Sequence, residues 1–280
     1  MQFARPNRLE EALALLADGE WRILAGGTDF YPSLGDSAPN GKILDITALE
    51  DAHHIALVDG YWSIGALATW TDIIRAELPA AFDALKLAAR EVGSVQIQNR
   101  ATVAGNLCNA SPAADGVPPL LTLDAEIEIA SSSGLRREPL GKFIRGNRRT
   151  GLGIGEMVVR ILVPEKSAAG ASSFLKLGAR KYLVISITMV AARMAVNEAG
   201  YIEDAAVSVG ACSAVAKRLP DLEAALVGEN PNADLDKTVS AKHLSGLSPI
   251  DDVRAPANYR LDASLELVRR TVRQAAGGAI

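Results

Sequence analysis

A run of small and polar residues from position 99 to position 121, NRATVAGNLCNASPAADGVPPLL, limits how this chain can fold more than any other stretch. Almost no bulky side chain occurs in it before Val117. Small residues let a ligand approach the backbone, and amide, hydroxyl and carboxylate groups can bind the phosphates and hydroxyls of that ligand. A surface loop would be equally polar, but it would not need to be so consistently small. The run therefore predicts a ligand-binding segment.

A second glycine-containing segment, Gly26-Gly27-Thr28-Asp29, directly follows a short strand predicted over residues 21–25. Successive backbone N–H groups in such a turn can converge on an anion, so a phosphate cradle is one interpretation. A plain tight turn is the other, and these four residues alone favour the turn. The GxGxxG fingerprint of dinucleotide-binding folds is absent here, and residues 151–155 lack it too because Glu156 takes the third glycine position.

Hydrophobic periodicity and turn residues predict helices and strands along the first half of the chain. An amphipathic helix is expected over residues 8–17. Strands are predicted at residues 42–46, 55–58, 61–65 and 126–130. Asp59-Gly60 is typical of a tight hairpin turn. Either Thr69 or Thr71 is expected to cap the helix that follows.

The second half of the chain begins near residues 166–172, where a change to Ala, Gly and Ser marks the best position for a domain boundary. Beyond it, strands of one antiparallel sheet are predicted at residues 174–178, 185–196 and 205–211. The middle strand is long enough to be a helix instead. Helices are predicted at residues 220–227, 235–244 and 263–275.

Composition and charge argue against several classes of function. A net charge of −4 over 280 residues argues against nucleic-acid binding, which needs a clustered basic surface. No apolar run approaches the roughly twenty residues that span a membrane, and acidic residues interrupt the apolar segment near the N-terminus, so no signal peptide is expected. We therefore expect a cytoplasmic protein. Cys108 and Cys212 belong to no CxxC pair and are expected to be free thiols, so this chain alone cannot hold an iron–sulfur cluster or a structural zinc.

Four motifs, taken together and in order, resemble a known family. They are AGGTD, NRATVAGNLCNASPAAD, FLKLGARKYLVIS and SPIDDVRAPANYR, and they extend over essentially the whole chain. The chain resembles the FAD-binding medium subunit of molybdenum hydroxylases such as xanthine, carbon monoxide and nicotinate dehydrogenases. The resemblance implies an α+β fold, with a two-part FAD-binding domain of the vanillyl-alcohol-oxidase (PCMH) type over residues 1–170. A CO-dehydrogenase-flavoprotein-like C-terminal domain, with a three-stranded antiparallel sheet and helices, is expected over residues 171–280.

The resemblance also assigns cofactor-binding roles to individual residues. The family's two loops clamp the FAD pyrophosphate through backbone amides, and they correspond to Ala25, Gly26, Gly27, Thr28 and Asp29 and to Ala101, Thr102, Ala104, Gly105 and Asn106. Side-chain donors are expected from Thr28, Thr102 and Asn106. The residues expected to approach the ribityl chain and isoalloxazine ring are Asn109, Ser111 and Asp115. The residues expected near the flavin ring are Lys176, Arg180 and Tyr182. For Lys176, a strand position that faces solvent is an equal alternative. No catalytic residue and no metal ligand is assigned.

Two positions depart from the family pattern. Gln98 stands where an arginine is more usual, and Ala104 replaces a usual glycine. Alanine does not easily adopt a positive φ, so flavin affinity would suffer if position 104 required one. The segment after Asp29, FYPSLGD, also lacks the basic residue that is common there.

The resemblance implies an electron-transfer subunit of a heteromeric enzyme. A large partner subunit would carry the molybdopterin cofactor, and a small partner subunit would carry two [2Fe–2S] clusters. Electrons would pass from those clusters to FAD on this chain and then to a terminal acceptor, within a dimer of heterotrimers. Two alternatives stay open: a self-contained flavin oxidase of the vanillyl-alcohol-oxidase class, and an interaction module without flavin. The sequence does not specify the substrate, the terminal acceptor or a role for either cysteine.

Overall fold

The fold is mixed α and β, and the computed structural model describes residues 1–277. The helices are α1 (Leu9–Ala17), α2 (Trp70–Arg75), α3 (Asp83–Glu91), α4 (Val95–Gln98), α5 (Val103–Asn109), α6 (Val117–Thr122), α7 (Leu140–Phe143), α8 (Pro220–Leu226) and α9 (Ala257–Ala275). The strands are β1 (Gln2–Ala4), β2 (Arg22–Leu24), β3 (Lys42–Asp45), β4 (Ile55–Val58), β5 (Tyr61–Gly65), β6 (Glu126–Ser131), β7 (Gly134–Pro139), β8 (Ile144–Gly146), β9 (Arg149–Thr150), β10 (Met157–Pro164), β11 (Ala171–Leu177), β12 (Thr188–Val196), β13 (Ile202–Gly210) and β14 (Lys217–Arg218).

The N-terminal segment forms a small parallel sheet with strand order β1-β3-β2. Helix α1 connects β1 to β2, as a crossover between parallel strands requires. Its buried side chains Ala12 and Leu16 pack with Leu44 of β3 in one apolar cluster. Met157 of β10 belongs to the same cluster, so this sheet is packed against the next one.

The second sheet has five antiparallel strands in the order β4-β5-β10-β6-β7. Two local hairpins, β4-β5 and β6-β7, lie on either side of β10, which pairs with β5 and β6. Asp59 and Gly60 both have positive φ, at 50° and 77°, which confirms the tight turn predicted there. Thr69 caps α2 by accepting the Asp72 amide, and the Asp72 carboxylate accepts the Thr69 amide in return, which confirms the first of the two predicted caps.

The C-terminal sheet has four antiparallel strands in the order β11-β12-β13-β14, and the prediction of three strands is wrong. The fourth strand, β14, has only two residues, too few to produce a hydrophobic pattern. The long segment at 185–196 is a strand, β12, from residue 188 onwards. The helix predicted at 235–244 is also wrong, because this segment forms two separate 3₁₀ turns, Leu235–Lys237 and Ala241–Leu244.

Helices join the sheets to one another. Helix α9 packs with α8 in the apolar cluster that covers the C-terminal sheet. On the other face, Ala84 and Ala88 of α3 pack against Phe174, Met189 and Ala191 of β11 and β12. No helix within residues 1–277 is long and apolar enough to cross a membrane.

Candidate functional site

The main cavity of the described chain, about 660 Å³ in volume, lies where the first two sheets meet. Its walls come from residues around β2, the loop that follows β2, helix α5 and the start of β10. The volume is in the range of pockets that hold cofactors and other small molecules. The cavity therefore has the size and the loops expected of a cofactor site.

Most of the residues predicted from the sequence to bind a cofactor line this cavity. They are Ala25, Gly26, Gly27, Thr28, Asp29, Ala101, Thr102, Ala104, Gly105, Asn106 and Asn109. The other predicted residues, which are not in the lining, are Ser111, Asp115, Lys176, Arg180 and Tyr182. The fold thus brings together two segments that lie more than 70 residues apart in the sequence.

The first glycine loop is held tightly against the second. A Cβ atom on Gly26 would lie 1.9 Å from the carbonyl oxygen of Arg100, so only glycine fits at this contact. Gly27 has φ of +78°, a conformation that glycine adopts without strain. Within residues 1–277, the amides of positions 26 to 29 donate no hydrogen bond to another protein atom. Four successive amides at a cavity wall are therefore available to an anionic ligand.

The second glycine segment forms the beginning of helix α5. Thr102 is the N-cap residue, and its Oγ1 accepts a hydrogen bond of 3.0 Å from the amide of Gly105. Ala104 lies in the helix and has no positive φ, so its replacement of a usual glycine requires no strained backbone. Gln98 is buried in α4, where its Nε2 donates to the carbonyl oxygen of Arg90, and it does not line the cavity.

A polar link closes one part of the cavity wall, and the sequence did not predict it. Asn109 Nδ2 donates to Asp29 Oδ1 over 3.0 Å, and the Arg148 guanidinium donates to Asn109 Oδ1. The amide of Arg148 also donates to the carbonyl oxygen of Ala110, and both of these residues have positive φ. Arg148 follows β8 in a short turn and has no sequence neighbour among the predicted residues, so no local pattern identified it. Arg148 lines the cavity, and its guanidinium is linked to the carboxylate of Asp29 through Asn109.

Asp115 and Lys176 form a buried ion pair between the two halves of the chain. Lys176 Nζ lies 2.7 Å from Asp115 Oδ2, and Ser186 Oγ donates to Asp115 Oδ1 over 2.7 Å. The Lys176 side chain is only 6% exposed, so the alternative in which it faces solvent is wrong. Burial raises the pKa of Asp115, and Lys176 opposes that increase. Glu91 lies within electrostatic range of this pair, and burial raises its pKa as well.

Ser111 and Tyr182 have other surroundings. Ser111 Oγ accepts a hydrogen bond from the amide of Ala113 and so shapes the loop that leads to Asp115. Tyr182 is 57% exposed, in the loop between β11 and β12, with the Lys181 ammonium over its ring. The structure therefore leaves the predicted roles of both residues as predictions.

Cys108 is a thiol in the cavity wall. Burial raises its pKa to about 12, so the nucleophilic thiolate is scarce at neutral pH. Cys212 is buried in the C-terminal cluster, and the two cysteines are not bonded to each other. Within residues 1–277, no group of three His, Cys, Asp or Glu side chains is arranged to hold a metal ion.

Two family models match the chain almost end to end. Residues 1–166 match the FAD binding domain in molybdopterin dehydrogenase, and residues 173–275 match the CO dehydrogenase flavoprotein C-terminal domain. The nicotinate dehydrogenase FAD-subunit of Eubacterium barkeri is 34% identical over 239 residues, which is 81% of this chain and 79% of that protein. The xanthine dehydrogenase FAD-binding subunit of Escherichia coli O157:H7 is 29% identical and covers 99% of this chain and 96% of its own length.

A solved structure supports the same assignment. Carbon monoxide dehydrogenase from Hydrogenophaga pseudoflava, in a form lacking the Mo-pyranopterin moiety of the molybdenum cofactor, matches with a TM-score of 0.87 and 25% identity. The match covers 99% of this chain and 97% of that one. The chain therefore belongs to the family of FAD-binding medium subunits of molybdopterin-dependent dehydrogenases, the family that its motifs resemble, and is the flavoprotein subunit of an oxidoreductase.

Proposed function

We propose that this chain holds FAD in the main cavity, with the pyrophosphate between the two glycine segments, and transfers electrons within a heteromeric molybdenum hydroxylase. The observation that carries the site assignment is the row of free amides from residue 26 to residue 29. They line the cavity, and at Gly26 a side chain larger than hydrogen has no room because it would overlap the Arg100 carbonyl group. Such a row of backbone donors is suited to a diphosphate, which has only acceptors.

The rest of the lining also fits FAD. Three buried polar atoms of the wall have no partner among the described residues: the indole nitrogens of Trp21 and Trp70 and Oδ1 of Asn106. A ligand with many hydrogen-bonding groups would satisfy them, as buried polar groups normally are satisfied. Arg148 provides a positive charge that would offset the charge of the pyrophosphate, and its link through Asn109 keeps the Asp29 carboxylate occupied.

The residues outside the lining are proposed to support the flavin-ring end of the cofactor. Glu91, which interacts with the buried pair of Asp115 and Lys176, directly precedes Val92, a residue of the cavity wall. The ion pair, Ser111 and the loop that carries Tyr182 would therefore lie at the end of the cavity that Val92 lines. Their proposed contribution is to fix this end and to provide a cation for the pyrimidine part of the ring.

When bound, FAD would accept electrons from the iron–sulfur clusters of a small partner subunit and pass them to a terminal acceptor. The relatives support this arrangement because their names describe FAD subunits of dehydrogenases. A large partner subunit would carry the molybdopterin cofactor, and the proposed assembly is a dimer of heterotrimers in the cytoplasm. The small parallel sheet and the five-stranded sheet that enclose the cavity support the two-part vanillyl-alcohol-oxidase type of domain over residues 1–170, with the C-terminal domain from residue 171.

The test is reconstitution of the full chain with FAD, followed by isolation of its complex from the native host. We expect one flavin per chain after gel filtration, and co-purifying subunits that contain iron and molybdenum. A folded chain that retains no flavin would refute the cofactor site. A flavin-containing chain that purifies alone and oxidises a substrate would favour the self-contained oxidase.

A further inference from the structure

The tryptophans of the chain differ in whether they line the cavity and in whether they carry a buried indole N–H without an acceptor among the described residues. Of the tryptophans, Trp21, Trp62 and Trp70, only Trp21 and Trp70 line the cavity. These two are also the tryptophans whose buried Nε1 has no acceptor among the described residues. Buried indole N–H groups usually find a partner. The missing partner is therefore expected in the cavity that both residues line.

Trp70 is the stronger case because its side chain is fully buried. It is the first residue of α2, directly after the N-cap residue Thr69. Gly116 fixes the ring edge: a Cβ atom at this glycine would lie 2.4 Å from Cη2 and 3.1 Å from Cζ2 of Trp70. A side chain at position 116 would thus displace the indole. The glycine therefore allows the ring to pack in one place.

Asn106 provides an acceptor near the Trp70 ring. A Cβ atom on Gly116 would also lie 3.1 Å from Asn106 Oδ1, so the amide oxygen of Asn106 and the indole ring of Trp70 are neighbours. Among the residues that the structure describes, Asn106 Oδ1 is buried and has no partner, and Trp70 Nε1 does not donate to it. Most of the wall around them is apolar, with Ala66, Ala101 and Val158 in the lining. Within residues 1–277, one unsatisfied donor and one unsatisfied acceptor therefore belong to neighbouring side chains of the cavity wall.

We propose that Trp70 Nε1 and Asn106 Oδ1 form a donor–acceptor pair that binds the riboflavin half of FAD. This inference rests on the proposed function, since it requires FAD in this cavity. The matching ligand group must present an acceptor next to a donor. A diphosphate has no donor, whereas a ribityl hydroxyl and the imide edge of the isoalloxazine ring have both, as do the ribose and adenine of the other half of FAD. Gly116, which packs against the pair, directly follows Asp115, and this places the pair toward the proposed flavin-ring end.

The first experiment compares Trp70→Phe with Trp62→Phe, which removes an indole N–H outside the cavity lining. Dissociation constants are measured for FAD, riboflavin and ADP on the full chain. We expect Trp70→Phe to bind FAD and riboflavin about tenfold more weakly, with ADP binding unchanged, and Trp62→Phe to match the wild type. Unchanged affinity for FAD and riboflavin in Trp70→Phe, or an equal loss for ADP, would overturn the proposal.

Lumiflavin, which has the ring without the ribityl chain, distinguishes the two sources of the matching group. A loss of lumiflavin affinity in Trp70→Phe supports binding through the imide edge. Normal lumiflavin binding together with weaker riboflavin binding supports binding through a ribityl hydroxyl.

A second measurement uses the wild-type chain and so does not depend on the folding of a variant. In protein labelled with ¹⁵N-tryptophan, the Trp70 indole signal is assigned by its absence in Trp70→Phe. We expect riboflavin to shift this signal and to slow its exchange with solvent, while the Trp62 signal stays in place. A Trp70 signal that riboflavin leaves unmoved would contradict the proposal. A wild-type chain that binds neither FAD nor riboflavin would instead refute the proposed function.

Discussion

The contact between the two glycine segments makes Gly26→Ala the most informative single substitution. A Cβ atom on residue 26 would lie 1.9 Å from the Arg100 carbonyl oxygen, 2.7 Å from the Arg100 carbonyl carbon and 3.0 Å from Ala101 Cα. All three are backbone atoms, so no change of rotamer relieves the overlap. Carbon–oxygen contacts in proteins rarely fall below about 3.3 Å, so the two segments must separate by roughly 1.4 Å.

A separation of this size would move the donors of one segment out of reach of a pyrophosphate held by the other. A hydrogen bond to a charged group contributes about 1.5–3 kcal/mol. If one such bond is lost, the binding free energy of FAD falls by about 1.5–3 kcal/mol, which corresponds to a dissociation constant roughly 10- to 140-fold higher. The free energy of unfolding of the chain without flavin is expected to fall by about 1–3 kcal/mol, the usual effect of overpacking.

The assay is a fluorescence titration with FAD, with thermal unfolding measured on the same samples by circular dichroism. Gly246→Ala is the matched control, because a Cβ atom there meets nothing within 4 Å and the residue has no positive φ. Gly246→Ala is expected to bind FAD like the wild type. If folded Gly26→Ala binds FAD within threefold of the wild-type affinity, the two segments do not form the pyrophosphate site.

Four further predictions follow from the site and its surroundings. Arg148→Ala is expected to weaken FAD binding about three- to tenfold. Titrations at low and high ionic strength should show the difference in affinity between variant and wild type shrink as salt screens the charge. Cys108 is expected to react slowly with iodoacetamide at pH 8, since on the order of one thiol in ten thousand is ionised when the pKa is about 12. For the same reason no bond between this thiol and FAD is expected, and acid should release bound FAD intact. Lys176→Met leaves the buried Asp115 carboxylate unpaired and is expected to lower the free energy of unfolding by about 3–5 kcal/mol, measured with urea. Asp252→Asn is expected to destabilise the chain at neutral pH, because Arg254 and Arg260 hold the pKa of this carboxyl below its usual range. The difference in the free energy of unfolding between the variant and the wild type persists above the unfolded pKa of about 4 and closes as the pH falls below it. Urea unfolding at several pH values measures it.

A control or a contradicting result distinguishes each predicted effect from a general loss of folding. Arg148→Lys keeps the charge and is expected to retain most of the affinity. Rapid alkylation of Cys108, or flavin that stays attached in acid, would contradict its assignment as an inert wall residue. The double variant with Lys176→Met and Asp115→Asn is expected to recover part of the lost stability; no recovery would mean that the two residues act independently. A stability difference for Asp252→Asn that does not change with pH would contradict the ion-pair explanation.

The sequence predicts those parts of the fold that depend on neighbouring residues. The Asp59-Gly60 turn and the Thr69 cap are local because each is decided by a few consecutive residues with special φ values or side-chain acceptors. The two glycine segments were found for a related reason, since small residues in a row are visible without knowledge of the fold. Position 104 shows the limit: the sequence identifies the departure, but only the helical backbone shows that it is harmless.

The missed features depend on contacts between distant segments. Trp70 and Arg148 reach the cavity from α2 and from the turn after β8, and neither has a local pattern that indicates a ligand. The segment at 235–244 has apolar residues at helical spacing, yet its backbone forms two short turns. For Lys176 a usable signal did exist. It lies two residues after the buried Phe174 on β11, so strand alternation places both side chains on one face.

The position of β10 between two hairpins has a consequence for synthesis of the chain. The hairpins β4-β5 and β6-β7 can each form as soon as their own residues leave the ribosome, but the sheet remains in two pieces until β10 joins them. Met157 and Val158, at the start of β10, line the cavity. A nascent chain that ends before residue 157 therefore has both glycine segments and lacks part of the cavity wall. Under the proposed function, capture of FAD therefore waits until β10 has been made, although both glycine segments are translated earlier.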